Sequence, residues 1–304
     1  MKKELKNPAA SILARLRNVS KERKLDHTQT LTQFAIERFL YRLYLSDYRN
    51  RFLLKGAMLF VLWEDNPFRT TRDLDLLGFG EITVETAQEI FREIAKIKVP
   101  EDCLVFDPDS IDVNPIRAFE EYAGIRITMR AGIEKARISV QIDVGVGDSV
   151  TPEAEEVSFP TLLDLPAPKL RAYPMETVIA EKLHAVYKLG MLNTRMKDYY
   201  DLFHLITNYE FKGTQVYDAI SATFSRRGNV PQTSTLIGLS SQFFLDETKK
   251  TQWNAFANKS KLILPRIELQ EVASKINLFA EPVLNAIVEG EGFDQSWMPE
   301  TQWS

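Results

Sequence analysis

KGAMLFVLWEDNPFRTTRDLDLLGFG, residues 55–80, combines a glycine turn, a short apolar segment and an alternating run at its end. In Asp73-Leu74-Asp75-Leu76 polar and apolar side chains alternate, which is the period of a strand with one buried face. Asp73 and Asp75 therefore lie on the same side of the predicted strand. Two neighbouring carboxylates repel each other unless a cation, usually a divalent metal ion, lies between them. The stretch therefore predicts a metal site on a sheet.

A glycine turn, a short helix and a strand that carries Asp-x-Asp resemble the opening of the DNA polymerase β-like nucleotidyltransferases. In that superfamily the turn reads Gly-Ser or Gly-Gly, whereas this chain has Gly56-Ala57 and so offers no side-chain hydroxyl to a phosphate. The backbone N–H groups at the start of the helix can still bind one. The resemblance implies that Gly56 and Ala57 contact the nucleotide.

The composition excludes several classes of protein. The chain has 304 residues, 44% of them apolar and 26% charged, and its formal net charge of -4 argues against binding nucleic acid by bulk charge. The single cysteine, Cys103, can form neither an internal disulfide nor a zinc cluster. None of the three histidines lies in a nucleophile motif, and the sequence contains no Walker or Gly-x-Gly-x-x-Gly loop. The longest apolar run, residues 57–63, is too short to span a membrane, so we expect a cytoplasmic protein.

The first 24 residues are basic and predict a helix. Four apolar residues recur at helical spacing (Ile12, Leu13, Leu16 and Val19), and most of the remaining face is Lys or Arg. Such a face is either a solvated surface or a contact for nucleic-acid phosphates. A second helix is predicted over residues 28–45.

Two alternating runs, residues 122–130 and 136–146, predict a β-hairpin joined by residues 131–135. In the second run Ile142 and its apolar companions share one face, and Asp143 lies on the other. A third carboxylate of a nucleotidyltransferase would lie on such a neighbouring strand. The alternative is an edge-strand aspartate that faces water.

The second half of the chain predicts helices that follow a proline-rich connector over residues 151–174. The first of these helices begins at Pro174 and ends at Gly190. It carries Lys182 on its apolar stripe, where a lysine either extends to solvent or reaches a charged pocket. Charges of both signs then concentrate at the start of the next helix (Arg195, Lys197, Asp198 and Asp201). Acidic residues in a first turn also have a purely structural reason, because they complement the helix dipole.

Four sequence blocks in this order resemble the AbiEii/AbiGii toxin family of nucleotidyltransferases. The blocks are Lys55-Gly56-Ala57, Arg72-Asp73-Leu74-Asp75-Leu76, Ala180-Glu181-Lys182-Leu183-His184-Ala185 and Arg195-Met196-Lys197-Asp198-Tyr199-Tyr200-Asp201-Leu202. The resemblance implies an α+β (α/β) fold of two lobes. Residues 1–165 would form a nucleotidyltransferase-like mixed sheet with flanking helices, and residues 166–304 a mainly helical lobe that completes the active-site cleft.

The same resemblance implies roles for single residues. Asp73 and Asp75 would be catalytic metal ligands, and Asp143 matches the superfamily position of a third. Lys182 would contact the triphosphate and Asp198 would be a further essential acid. Two more cations of the last block, Arg195 and Lys197, would help to bind the nucleotide. The implied cofactor is Mg²⁺ and the implied substrate is an NTP.

The family also implies a biological setting, that of a toxin in a bacterial toxin-antitoxin or phage-defence system. Some members add nucleotides, pyrimidines especially, to the 3′ end of tRNA, so the expected partners are an RNA acceptor and a cognate antitoxin, with no membrane. The basic first helix, with Arg226 and Arg227, would then hold the acceptor through its phosphates. Two alternatives stay open: a transferase that modifies a protein hydroxyl, and a catalytically silent nucleotide-binding protein, which Ala57 in place of Ser or Gly would favour.

Overall fold

The computed structural model of the protein describes residues 7–64, 73–116, 124–228, 231–259 and 267–304. Some predicted features therefore lie outside the described residues. They are Lys2, Lys3 and Lys6 of the basic segment, Arg72 of the Asp-x-Asp block, and residues 122–123 at the start of the predicted hairpin.

The secondary structure changes from mixed to mainly helical along the chain. The helices of the described residues are α1 (Pro8–Glu22), α2 (His27–Leu45), α3 (Leu59–Trp63), α4 (Val84–Lys96), α5 (Met175–Leu189), α6 (Met196–Asn208), α7 (Gly213–Arg226), α8 (Ser241–Phe244), α9 (Glu247–Lys259) and α10 (Leu269–Glu289). The strands are β1 (Phe52–Lys55), β2 (Asp73–Gly78), β3 (Val105–Ile116), β4 (Gly124–Ile133), β5 (Ala136–Val146), β6 (Glu155–Ser158), β7 (Lys169–Ala172), β8 (Phe211–Lys212), β9 (Ser296–Met298) and β10 (Gln302–Trp303).

The chain divides into two compact units. Unit 1 comprises Met1–Gly147 and Glu155–Ala172, and unit 2 comprises Asp148–Ala154 and Tyr173–Ser304. The boundary that the sequence suggests, after residue 165, falls within the second segment of unit 1. That segment returns to the sheet of unit 1 because β7 pairs with β1.

Unit 1 is built on a seven-stranded sheet with the order β3-β4-β5-β2-β1-β7-β6. The sheet is mixed, since β2 is parallel to β5 and antiparallel to β1, and β1 is parallel to β7. The expected α+β architecture, with a mixed sheet and a mainly helical C-terminal region, is thereby confirmed. The central position of β2 follows from its apolar side chains, because Leu74, Leu76 and Leu77 are buried.

A buried charge cluster fixes α2 to the segment that precedes β3. Asp102 accepts hydrogen bonds from Arg38 Nε at 3.1 Å and from Arg42 Nη1 at 2.7 Å, and all three side chains are almost fully buried. A buried carboxylate requires such partners, because an unpaired buried charge costs several kcal/mol. The two arginines that continue the helical period of α2 therefore belong to the core of unit 1.

Unit 2 is mainly helical, with α10 at its core packed against α6 and α7. Its one sheet among the described residues is small and has the order β10-β9-β8. The buried Trp297 of β9 donates its indole N–H to the carbonyl of Ile206 at 2.7 Å. In the described part of the chain, no helix is both long and apolar enough to cross a bilayer.

Several expected element boundaries were wrong. The proline-rich segment 151–174 is more than a connector, because it contains β6 and β7. Pro174 precedes α5 as its N-cap residue and is not its first helical residue. The hairpin loop is shorter than expected, with only Glu134 and Lys135 between β4 and β5. Sequence propensity predicts that a strand exists more accurately than it predicts where the strand ends. Pairing with a neighbouring strand can extend a strand beyond its alternating residues.

Candidate functional site

The two aspartates of the Asp-x-Asp block begin strand β2. Asp73 is exposed and Asp75 is half-buried, whereas Leu74 and Leu76 between and after them are buried. This alternation is the one expected for a strand with a single apolar face on that side of the sheet. Both aspartates therefore lie on the same face of β2, as the sequence predicts.

Four charged residues lie side by side across neighbouring strands. Strand register pairs Lys55 of β1 with Asp75 of β2, Asp75 with Asp143 of β5, and Asp143 with Arg126 of β4. We call these four residues the charged row. Directly opposed residues in a sheet have Cβ atoms about 5 Å apart and share a face. The charged row therefore brings two carboxylates together and flanks them with one cation on each side.

The missing side chain of Gly56 leaves room for the side chain of Asp75. A Cβ atom built on Gly56 would lie 2.0 Å from Asp75 Oδ2 and 2.7 Å from Asp75 Cβ, and the glycine has a φ of +71°. Any larger residue would therefore collide with the carboxylate and would also adopt a strained backbone conformation. The glycine of the turn is needed so that Asp75 can pack against the backbone at this point.

Asp143 is held by a bidentate ion pair. Arg126 Nε donates to Asp143 Oδ1 at 2.8 Å, and Arg126 Nη2 donates to Asp143 Oδ2 at 2.7 Å. The pKa of the Arg126 guanidinium is raised, first by this hydrogen bonding and then, against a partial desolvation, by the negative charges of Asp143, Asp73 and Asp75. Arg126 thus lies within electrostatic range of all three carboxylates.

The three carboxylates Asp73, Asp75 and Asp143 form only part of the oxygen site that a divalent cation requires. Among the described residues, no group of three or more His, Cys, Asp or Glu side chains is arranged to hold a metal ion. Asp73 and Asp75 offer oxygen ligands from one face, which suits Mg²⁺. Asp143 is opposite Asp75, but both of its oxygens accept hydrogen bonds from Arg126. The geometry therefore fits a site that is based on the two carboxylates of β2.

Unit 2 contains a second charge cluster, formed by α5 and α6. Lys182 Nζ donates to Asp198 Oδ1 at 2.9 Å and to Asp201 Oδ2 at 2.8 Å. The two aspartates are almost completely buried, and the lysine side chain is 15% exposed. Asp198 and Asp201 are three residues apart on α6, so they share one face of the helix. The lysine on the apolar stripe of α5 thus reaches a charged pocket.

The other cations predicted in unit 2 have different surroundings. Arg195 Nε lies 2.6 Å from Asp198 Oδ2, and half of the arginine side chain is exposed. Lys197 and Arg226 are exposed. Arg227 is held within unit 2 by Asp148 at 3.0 Å and by Glu181 at 3.2 Å, so the geometry does not favour it as a phosphate contact.

Sequence reasoning gave no role to three residues of these clusters, Lys55, Arg126 and Asp201. Arg126 could have been found from the hairpin, since a two-residue loop at Glu134 and Lys135 sets Arg126 opposite Asp143. Asp201 could have been found from its spacing of three residues from Asp198 on one helix. The pairing of each with its partner depends on a register or a helix face, which the linear pattern alone left open.

Unit 1 also contains a cavity of about 360 Å³ that is separate from the charged row. Its lining among the described residues is mostly polar and includes Arg23, Gln33, Glu37, Trp63, Glu64 and Phe159. None of the site residues predicted from the sequence lines it. Glu37 is 1% exposed and accepts the backbone N–H of Leu162 at 2.7 Å. Burial raises the pKa of Glu37 from 4.5 to about 7, against the opposing effects of this hydrogen bond and of Arg38.

This shift predicts a pH-dependent stability. The folded protein binds the Glu37 proton more tightly than the unfolded chain does. This tighter binding adds to the free energy of unfolding, and the contribution is fully present below about pH 4.5 and is lost as the pH rises through about 7. Between about pH 5.5 and pH 8, Glu37→Gln should reduce the fall in the free energy of unfolding by up to about 2 kcal/mol. Urea titrations at the two pH values measure this difference. Glu89→Gln, an exposed change on α4, is the control, and an identical fall in wild type and Glu37→Gln would contradict the prediction.

Comparison with known proteins gives a family match and structural relatives. The family described as "Nucleotidyl transferase AbiEii toxin, Type IV TA system" matches residues 38–275. No sequence among the curated proteins is significantly similar to the chain. A crystal structure described as a candidate nucleotidyltransferase from H. pylori is similar with a TM-score of 0.51 and 15% identity, over 88% of this chain and 99% of that one. JHP933 from Helicobacter pylori has a TM-score of 0.48 and 15% identity, over 85% and 94% of the two chains.

Proposed function

The chain belongs to the AbiEii family of nucleotidyltransferase toxins of type IV toxin-antitoxin systems, and on this premise we propose that it transfers a nucleoside monophosphate from an NTP to RNA. We further propose that a pyrimidine nucleotide is favoured, that the acceptor is the 3′ end of tRNA in the cytoplasm, and that a cognate antitoxin opposes the activity. The observation that carries the proposal is that Asp73 and Asp75 lie on the same face of β2, next to Asp143 of β5.

The reaction is a substitution at phosphorus. The acceptor hydroxyl oxygen forms a bond to the α-phosphorus, the bond from that phosphorus to the bridging oxygen of the β-phosphate breaks, and pyrophosphate leaves with the electron pair. The proton of the hydroxyl passes to a carboxylate of the site or to water. Catalysis of this step consists mostly of positioning and charge stabilisation.

The residues of unit 1 supply these requirements in the proposal. Asp73 and Asp75 would hold Mg²⁺, which when bound supplies Lewis-acid stabilisation of the triphosphate charge. Gly56 lets Asp75 lie against the backbone of the turn. The backbone N–H groups of the turn at Gly56 and Ala57 would bind phosphate oxygens without a side-chain hydroxyl. Asp143 would serve as a third carboxylate when it is not fully engaged by Arg126.

The residues of unit 2 have proposed roles that rest on the family resemblance. Lys182 would neutralise phosphate charge, and Asp198 would orient the lysine through the hydrogen bond of 2.9 Å. Arg195 and Lys197, which are both exposed cations at the start of α6, would add to the binding of the nucleotide. The basic face of α1 would bind acceptor phosphates.

A labelling experiment tests the proposal. The purified protein is incubated with Mg²⁺, total tRNA and each α-labelled NTP in turn, and the products are separated on a denaturing gel. We expect label on RNA, strongest with CTP or UTP, that disappears in Asp75→Asn and when the metal is removed with EDTA. Label on protein would instead establish modification of a protein hydroxyl. The absence of label on any macromolecule would contradict the transferase reaction.

A further inference from the structure

The ion pair between Arg126 and Asp143 uses the carboxylate that the proposed reaction would need as a third metal ligand. Both oxygens of Asp143 accept hydrogen bonds from one guanidinium, at 2.8 and 2.7 Å. Asp143 is also the register partner of Asp75, so its charge lies next to that of the Asp-x-Asp pair. Two such carboxylates destabilise each other unless a cation compensates them. In the protein without metal, Arg126 contributes to that compensation through Asp143.

Metal binding changes the electrostatics of this arrangement. A divalent ion held by Asp73 and Asp75 would attract Asp143 and repel the guanidinium of Arg126 at the same time. Because Arg126 donates to both oxygens of Asp143, moving Asp143 toward a metal ion breaks two charge-assisted hydrogen bonds. The free energy needed to break them is subtracted from that of metal binding.

We propose that Arg126 is a built-in counter-ion that competes with the divalent metal for Asp143 and thereby sets the metal affinity of the site. This inference rests on the proposed function, because it assumes that the carboxylates of β2 bind the metal. Arg126 is a positioning residue in this account, since it acts on the metal through Asp143. The competition would keep the site at low occupancy until a nucleotide triphosphate adds its own oxygen ligands.

The pair is partly exposed, which limits the size of the effect. The side chains of Arg126 and Asp143 are 45% and 19% exposed. Exposed ion pairs contribute no more than about 1 kcal/mol, so removal of Arg126 should tighten metal binding by about two- to fivefold. A role confined to folding would leave the metal affinity unchanged.

A matched control lies on the same strand. Arg130 of β4 is on the same face as Arg126, four residues away, and pairs with Asp107 of β3 at 3.2 Å. Its side chain is 69% exposed, and its partner is not one of the carboxylates of the charged row. Arg130→Gln therefore removes a similar charge and a similar pair without changing the partner of Asp143.

The test measures Mn²⁺ binding in the absence of nucleotide, by calorimetry and by the electron paramagnetic resonance signal of free Mn²⁺. We expect Arg126→Gln to bind Mn²⁺ about two- to fivefold more tightly than wild type and to have a lower Tm in EDTA. Arg126→Lys keeps the charge but not the bidentate geometry, and its Mn²⁺ affinity should lie between those of wild type and Arg126→Gln. Arg130→Gln should bind as wild type does.

The variant Asp75→Asn separates a failure of the proposed metal site from a failure of the proposed competition by Arg126. If Asp75→Asn lowers the Mn²⁺ affinity but Arg126→Gln leaves it unchanged or weakens it, the competition is refuted and the proposed function stands. If Asp75→Asn binds Mn²⁺ as wild type does, or if neither wild type nor Arg126→Gln binds it, the metal site is refuted together with the inference.

Discussion

Asp75→Asn is expected to lower the rate of nucleotidyl transfer by about a thousandfold. A metal ion at such a site contributes several kcal/mol to transition-state stabilisation, and about 4 kcal/mol corresponds to a thousandfold change in rate. Asparagine keeps the shape that packs against Gly56 but removes the charge that would hold the metal. Initial rates of label transfer at saturating NTP, measured for both proteins, test the expectation.

The stability of the same variant separates a catalytic role from a structural one. Asp75 lies between Asp143 and Lys55 in the charged row, so removing its charge relieves one repulsion and loses one attraction in the protein without metal. Asp75→Asn should therefore unfold in EDTA at a Tm close to that of wild type. Asp109→Asn, an exposed change on β3, is the matched control and should retain full activity. An active Asp75→Asn protein would remove Asp75 from the mechanism.

Lys182→Met is expected to destabilise the protein by about 3 kcal/mol. Methionine keeps the volume of the lysine stem but leaves Asp198 and Asp201 without a cation that donates to both, at 2.9 and 2.8 Å. Both carboxylates are almost fully buried, and breaking a buried ion pair by removal of one partner costs about 3–5 kcal/mol. Because the lysine is 15% exposed, the lower end of this range applies. Urea denaturation of the two proteins measures the loss.

Two further variants distinguish the structural role of Lys182 from its proposed role in triphosphate binding. The triple change Lys182→Met, Asp198→Asn and Asp201→Asn removes the buried charges together and should recover most of the stability, with no recovery of transfer activity. Lys250→Met removes a lysine that pairs with Glu247 at 2.9 Å on the surface, and it should cost less than about 1 kcal/mol. Equal losses of stability in Lys182→Met and Lys250→Met would contradict the buried-cluster interpretation.

Much of the fold followed from local patterns. The alternation in Asp73-Leu74-Asp75-Leu76 predicted a strand with both aspartates on one face, and the burial of the leucines confirms it. The alternation around Asp143 likewise predicted β5, whose apolar face is buried. Helical periodicity located α2 to within one residue at each end. These predictions succeeded because a period of two or of 3.6 residues determines which side chains can share a buried face.

Patterns failed where an element depends on a distant partner. The segment from residue 151 to 174 was expected to be a connector because prolines dominate it, yet it adds two strands to the sheet, since β7 pairs with β1 and β6 pairs with β7. The ends of the hairpin were also misplaced, since residues 131–133 continue β4. A short strand at the side of a sheet has little periodicity of its own, and its pairing partner determines its conformation.

The sequence by itself determined which residues carry the charges and which of them share a face within one strand or one helix. Only the tertiary structure decided how those faces meet. Strand order and register place Asp75 next to Asp143 and pair Asp143 with Arg126. The packing of two helices pairs Lys182 with Asp198 and Asp201. The physical reason is that a side-chain period acts over a few residues, whereas a buried or crowded carboxylate is stabilised by a cation from another part of the chain.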